Sequence, residues 1–167
     1  MTSLLVRPTI AVAVCTYNRN EALTTLLEAL ITCASHLGER GAVGVVVVDD
    51  SADAKARRVV EQFEGRFELG IVYRISGRQN ISLARNLAIE AAGELADWTA
   101  MTDDDCEPVP EWLVALLETQ RTTGEFDGGE SCCAQDCHRC CTVRESLRKI
   151  GRSDHRNIGS SETGGQK

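Results

Sequence analysis

Residues 43–54 read VGVVVVDDSADA, an apolar, β-branched run that stops at two aspartates. A short valine-rich run is a strand signal, and the polar residues behind it mark where the chain leaves a sheet. Ser51 or Asp53 is placed to cap the helix that follows, which carries Val59, Val60 and Phe63. The same order recurs on both sides. Upstream, TIAVAV (9–14) predicts a buried strand ending in polar CTYNRN. A helix then begins with Asn20 as its candidate cap; Leu23, Leu26, Leu27, Leu30, Ile31 and Ala34 recur at helical spacing, and Gly38 is placed to end it. Downstream, LGIVYRI (69–75) predicts a third strand, and ISLARNLAIEAA (81–92) a helix with Leu83, Leu87 and Ala91 on one face. ADWTAM (96–101) predicts a fourth strand, and VPEWLVALLETQ (109–120) a helix with a proline near its first turn. Strands alternating with helices predict an α/β, Rossmann-like fold: a mostly parallel sheet flanked by helices, with right-handed crossovers.

Composition sets outer limits. The chain has 167 residues, 43% of them apolar, which suits one domain with a real core. A net charge of −7 and a pI near 5.0 argue against nucleic-acid binding through the phosphate backbone. AVGVVVV (42–48), the longest uniformly apolar stretch, is far below the roughly 20 residues of a membrane span. The start MTSLLVRPTI lacks the apolar core and cleavage site of a signal peptide, so a cytoplasmic location is expected.

The chain changes character near residue 125. Through Phe126 it holds 11 Lys/Arg against 19 Asp/Glu; from Asp127 it holds 7 against 6. Across 127–167 the large aliphatic residues are Val143, Leu147, Ile150 and Ile158, with no aromatic, so disorder is expected there. The expected division is therefore a domain at 8–125 and a Cys-rich tail at 126–167. Five of the eight cysteines crowd into CCAQDCHRCC (132–141). Structural zinc sites pair two separated ligand groups, which this run does not offer, and a disulfide scaffold does not suit the cytoplasm. The composition fits a shifted reading frame after about residue 125 better. An alternative frame in the encoding DNA that restores an apolar period would bear this out.

Function concentrates at the strand ends. CTYNRN, DDSAD, GRQNISLARN and TDDD each follow a strand, so a parallel sheet gathers all of them on one rim, where such folds bind ligands. Asp103, Asp104 and Asp105 repel one another there unless a cation neutralises them. A short run of hard oxygen donors suits Mg²⁺ or Mn²⁺ shared with substrate phosphates, and Arg78 and Arg85 could complete a diphosphate site. The plainer alternative is a solvated acidic turn that starts the next helix.

VAVCTYNRNEALTTLLEAL, VVVVDDSAD, GRQNISLARNLAIEAAGE and MTDDDCEPVPEWLVALL, in that order and spacing over about residues 8–120, resemble the nucleotide-sugar-binding half of family 2 glycosyltransferases of the GT-A fold. The resemblance implies that Tyr17 and Asp50, with Asp49 beside it, hold the nucleotide base, usually uridine. It places Arg85 near the nucleotide or its diphosphate. It reads the triplet as the family's DxD motif: Asp103 towards the ribose, Asp105 on the metal, Asp104 as the variable middle residue. Each residue also has a plain structural role open to it: Tyr17 packing in a loop, Asp49 or Asp50 capping a helix, Arg85 in a surface ion pair. Asn18, Arg19 and Asn80 are explained by turn chemistry. Nothing after Gly124 resembles the family's acceptor side, and Asp127, Glu130 and Asp136 are carboxylates with nothing to elect one as general base. Two functions follow as expectations: a metal-dependent, inverting transferase acting on a nucleotide-diphospho-sugar and an unknown acceptor, or a nucleotide-binding remnant that does not transfer. A Cys-rich zinc-binding interaction protein is the third. An incomplete sheet with apolar edges also implies low solubility or a partner chain.

Overall fold

The computed structural model describes residues 7–123 and 148–149. The elements alternate as expected: β1 (Thr9–Thr16), α1 (Asn20–Leu37), β2 (Ala42–Asp49), α2 (Arg57–Glu61), β3 (Ile71–Ile75), α3 (Ile81–Leu95), β4 (Trp98–Asp103), α4 (Trp112–Thr123) and β5 (Arg148–Lys149). The sheet order is β3-β2-β1-β4-β5; β1 to β4 run parallel, and β5 pairs antiparallel with β4. All eight residues of β2 are buried, as befits a strand covered on both faces.

Alternation along β1 divides the core in two. Ile10, Val12 and Val14 join Val43, Val45 and Val47 against α1, α2 and α4, through Leu23, Leu26, Leu27, Leu30, Val59, Val60, Phe63, Trp112, Leu113 and Leu117. Ala11, Ala13, Val46 and Val48 face the other way, against α3. Here the expected helix face is corrected. α3 buries Ala84, Ala88, Ala91 and Ala92, while Leu83 is 49% exposed and Leu87 only half-buried. The small strand residues beneath let α3 approach closely, so alanine fits where leucine would overfill. Gly44 belongs to the same contact: a Cβ there would come within 2.8 Å of Leu95 and 2.9 Å of Leu69.

Three further expectations at element ends change. Asn20 is the first residue of α1 rather than its cap; Arg19 holds the cap position without a side-chain bond, and Asn20 Nδ2 donates instead to the Lys55 carbonyl at 3.0 Å. Neither Ser51 nor Asp53 caps α2. The buried Asp49 reaches across the loop and its Oδ2 accepts from Ala56 N at 2.9 Å, while the Ser51 hydroxyl donates to Asp49 Oδ1 and Asp53 is exposed and paired with Lys55. The tail also contributes to the sheet: Arg148 and Lys149 pair with Thr99 and Trp98, using backbone groups that the outer edge of β4 leaves open. The rest of the tail, with the CCAQDCHRCC run and the disorder, zinc and frame readings made for it, lies outside the described residues. Gly38 does end α1, with φ +55 and its N–H on the Ala34 carbonyl. Among the described residues no helix is long and apolar enough to cross a membrane.

Candidate functional site

Strand register sets the rim. Thr16 stands beside Asp49, Cys15 beside Asp103, and Asp49 beside Ile75, so the strands end nearly level and their loops emerge together. β1 continues into α1 on one face of the sheet, whereas α3 on the opposite face leads into β4. The strand order reverses between β1 and β4, and open α/β sheets bind ligands outside the carboxyl ends of their strands at such a reversal. A cavity of about 480 Å³ lies there. Cys15, Thr16, Tyr17 and Arg19 line it from the first loop, Asp50 from the second, Gln79 and Ile81 from the start of α3, and Asp103, Asp104 and Asp105 from the end of β4.

Tyr17, Asp50, Asp103, Asp104 and Asp105 are thus brought to one cavity, whereas Asp49 and Arg85 are not among its lining residues and meet it through Asp49's neighbour Asp50 and Arg85's partner Asp103. Asp49 is consumed by the fold. Its Oδ1 accepts from Ser51 N at 2.8 Å and Ser51 Oγ at 2.6 Å, and its Oδ2 from Ala56 N at 2.9 Å and the Tyr73 hydroxyl at 2.8 Å. Burial, then the bond to Asp49, pushes the Tyr73 phenol far above its ordinary range, so it stays a donor. Asp50 Oδ1 accepts from Ser76 Oγ and from Arg78 N. Arg78 therefore serves here through its backbone. Tyr17 is 45% exposed and lines the cavity wall.

The acidic triplet is not left to repel itself. Arg85 Nη2 donates to Asp103 Oδ1 at 3.1 Å. Arg19 Nη1 donates to Asp104 Oδ1 at 3.2 Å and to Asp105 Oδ2 at 2.9 Å. Asp104 turns inward, its side chain 6% exposed, and its Oδ2 accepts from Thr16 Oγ1 at 2.8 Å. Burial raises its pKa, against the pull of Thr16 and Arg19. Asp103 and Asp105 stay roughly half exposed. Arg19, set aside in the sequence as a turn residue, is thus a site residue, and the signal that could have found it is its place in CTYNRN, one of the polar clusters that a parallel sheet gathers on the rim. Cys15, Thr16, Gln79 and Ile81 also went unread. Burial pushes the Cys15 thiol up to about 12, so it lines the cavity as a neutral group. Asn80 does what turn chemistry predicts, its Oδ1 accepting from Ser82 N and Leu83 N to cap α3.

No group of three or more His, Cys, Asp or Glu among the described residues could hold a metal ion. Asp103 and Asp105 nevertheless present hard carboxylate oxygens to the cavity. That donor set fits a cation of the Mg²⁺ or Mn²⁺ kind, which takes one or two carboxylates and completes its shell with water and substrate phosphates.

Comparison with known proteins bears on the family and the fold. Over 115 residues the chain is 37% identical to the succinoglycan biosynthesis protein ExoM of Rhizobium meliloti (strain 1021), covering 69% of this chain and 36% of that protein. Among solved structures, the mannosyltransferase PcManGT from Pyrobaculum calidifontis, in complex with GDP-Man and Mn²⁺, superposes with a TM-score of 0.56 at 22% identity, over 70% of this chain and 33% of that one. S. aureus TarS 1-349 gives 0.54 at 21% identity, over 68% and 33%. These structural likenesses concern the fold, and the chain spans about a third of each relative's length. The pattern of Glycosyl transferase family 2 matches residues 11–129, and the chain belongs to that family, with its GT-A fold.

Proposed function

We propose that this chain carries the donor side of a metal-dependent, inverting glycosyltransferase that takes a nucleotide-diphospho-sugar, with a UDP-sugar as the first candidate. The observation that carries the reading is the cavity at the carboxyl ends of β1 and β4, lined by Tyr17, Asp50 and the Asp103–Asp105 run. The solved structures of S. aureus TarS 1-349 with UDP-GlcNAc and of PcManGT with GDP-Man and Mn²⁺, which share the fold, support a nucleotide-sugar as the class of ligand. The proposed domain is 8–125.

In this reading Tyr17 offers its exposed ring face to the base. Asp50, held by Ser76 and Arg78 N, accepts a hydrogen bond from a base N–H. Asp103 faces the ribose, and Asp105, with Asp103 next to it, would hold the Mn²⁺ or Mg²⁺. When bound, that cation neutralises the departing diphosphate. Arg85 and Arg19 are close enough to the triplet to meet the same phosphates. Asp104 and Asp49 serve as supports, the one fixing the end of β4 against Thr16 and the other fixing the loop that carries Asp50. The acceptor hydroxyl would attack the anomeric carbon from the open side of the cavity, with its proton passing to a base. Among the described residues none is elected for that role; Asp127, Glu130 and Asp136 lie outside them.

The chain's span, about a third of its relatives, favours a second reading: a nucleotide-binding unit that needs a partner chain or further sequence for transfer. Calorimetric titration with UDP, with and without Mn²⁺, tests the shared part, and absence of UDP binding would overturn both readings. UDP release from a panel of nucleotide-sugars with added acceptors separates them. Turnover on the order of 1 per second or more would establish the transferase; tight binding without release would establish the binding unit.

A further inference from the structure

The acidic triplet carries its own counter-cations, and one of them bonds to Asp105, the carboxylate that the proposed function gives to the metal. Arg19 Nη1 bonds at 2.9 Å to Asp105 and at 3.2 Å to Asp104. Its side chain is 56% exposed, whereas Asp104 is 6% exposed. The backbone fixes where that side chain starts: Asn18 takes a left-handed conformation, φ 55, and Arg19 follows in a non-helical one, φ −122 and ψ 52, at the head of α1. A long, half-exposed guanidinium on a fixed base can change partners while its backbone stays in place.

We propose that Arg19 is a latch, a built-in cation that keeps Asp105 closed to a divalent ion until a diphosphate draws the guanidinium away. The proposal rests on the reading of the cavity as a nucleotide-diphosphate site. A divalent ion arriving alone meets carboxylates already neutralised and a positive charge beside them, which weakens its binding. A diphosphate reverses both terms. Its oxygens match the planar fork of arginine at least as well as a carboxylate does, and they supply the oxygen ligands that Asp103 and Asp105 alone do not. Metal and nucleotide then bind with positive coupling, and each raises the affinity for the other by the same factor. Arg19 acts as a positioning residue in this scheme: it governs when the carboxylates are available.

The test is Mn²⁺ binding by the full chain, read from loss of the free-ion electron paramagnetic resonance signal, with and without UDP. In the unaltered chain Mn²⁺ should bind about tenfold or more tightly when UDP is present. Arg19→Gln should bind Mn²⁺ without UDP about tenfold or more tightly than the unaltered chain, because the competing charge is gone. Arg19→Lys keeps that charge and should stay close to the unaltered chain. Equal Mn²⁺ affinity of Arg19→Gln and the unaltered chain in the absence of UDP would overturn the latch, as would Mn²⁺ affinity in the unaltered chain that ignores UDP while UDP is bound. Failure to bind UDP at all, measured in the same samples by calorimetry, would instead strike the nucleotide reading. The comparison without UDP still decides the latch in that case. The measurements on the unaltered chain need no variant to fold.

Discussion

The loops that follow β2 and β4 both open on aspartates, yet they neutralise them by opposite means. After β2, Asp49 and Asp50 are 1% and 6% exposed, and the bonds that hold them come from backbone N–H groups and hydroxyls. After β4, Asp103 and Asp105 are roughly half exposed and are met by arginine side chains from other elements. Backbone donors cannot leave without undoing the loop, whereas an exposed guanidinium can exchange its partner for little free energy. The first loop is therefore rigid and the second adjustable.

The largest expected effect lies at the centre of the rigid loop. Asp49→Ala removes the acceptor for Ser51 N, Ser51 Oγ, Ala56 N and the Tyr73 hydroxyl together, and should cost about 3–5 kcal/mol in urea denaturation. A cost below about 1 kcal/mol would mean that water replaces these bonds freely and that the β2 loop is as adjustable as its counterpart.

Asp50→Ala comes next and moves the comparison from stability to binding. It should weaken UDP binding by about 1.5–3 kcal/mol, the worth of a hydrogen bond to a charged acceptor, as measured by calorimetry. Unchanged affinity would leave Asp50 as a mere clasp for Ser76 and Arg78 N.

In the β4 loop, Asp105→Ala should lower stability by no more than about 1 kcal/mol, since it gives up a half-exposed ion pair. It should also remove the Mn²⁺ dependence of UDP binding. Persistence of that dependence would return the triplet to the role of a helix-starting turn.

The smallest effect is a pH dependence. Asp53 is the exposed exception in the β2 loop, and its hydrogen bond from Lys55, 3.0 Å away, holds its carboxyl below the ordinary value. A depressed folded pKa contributes stability above the unfolded value, lost as pH falls through the folded one. Asp53→Asn should therefore slightly lower stability at neutral pH, leave it unchanged below the folded pKa, and so flatten the acid side of a denaturation profile. A large change at neutral pH would mean that the β2 loop depends on its ion pair after all.

The sequence by itself determined the alternation of strands and helices, the single rim and the four polar clusters on it, because each is written in local terms: apolar period, turn residues and the direction of a parallel strand. The end of α1 at Gly38 and the Asn80 cap were legible for the same reason. Only the tertiary structure decided between neighbours of identical chemistry. Asp49 is the last residue of β2 and Asp50 the first beyond it, and one is turned inward to Ala56 and Tyr73 and the other to the cavity. Alanine won the buried face of α3 over Leu83 because the strands beneath it are lined with Ala11 and Ala13 and leave little depth. Arg19 joined the site because folding closes a gap of 86 residues between it and Asp105. A partner is chosen by distance in space, which neither periodicity nor composition encodes.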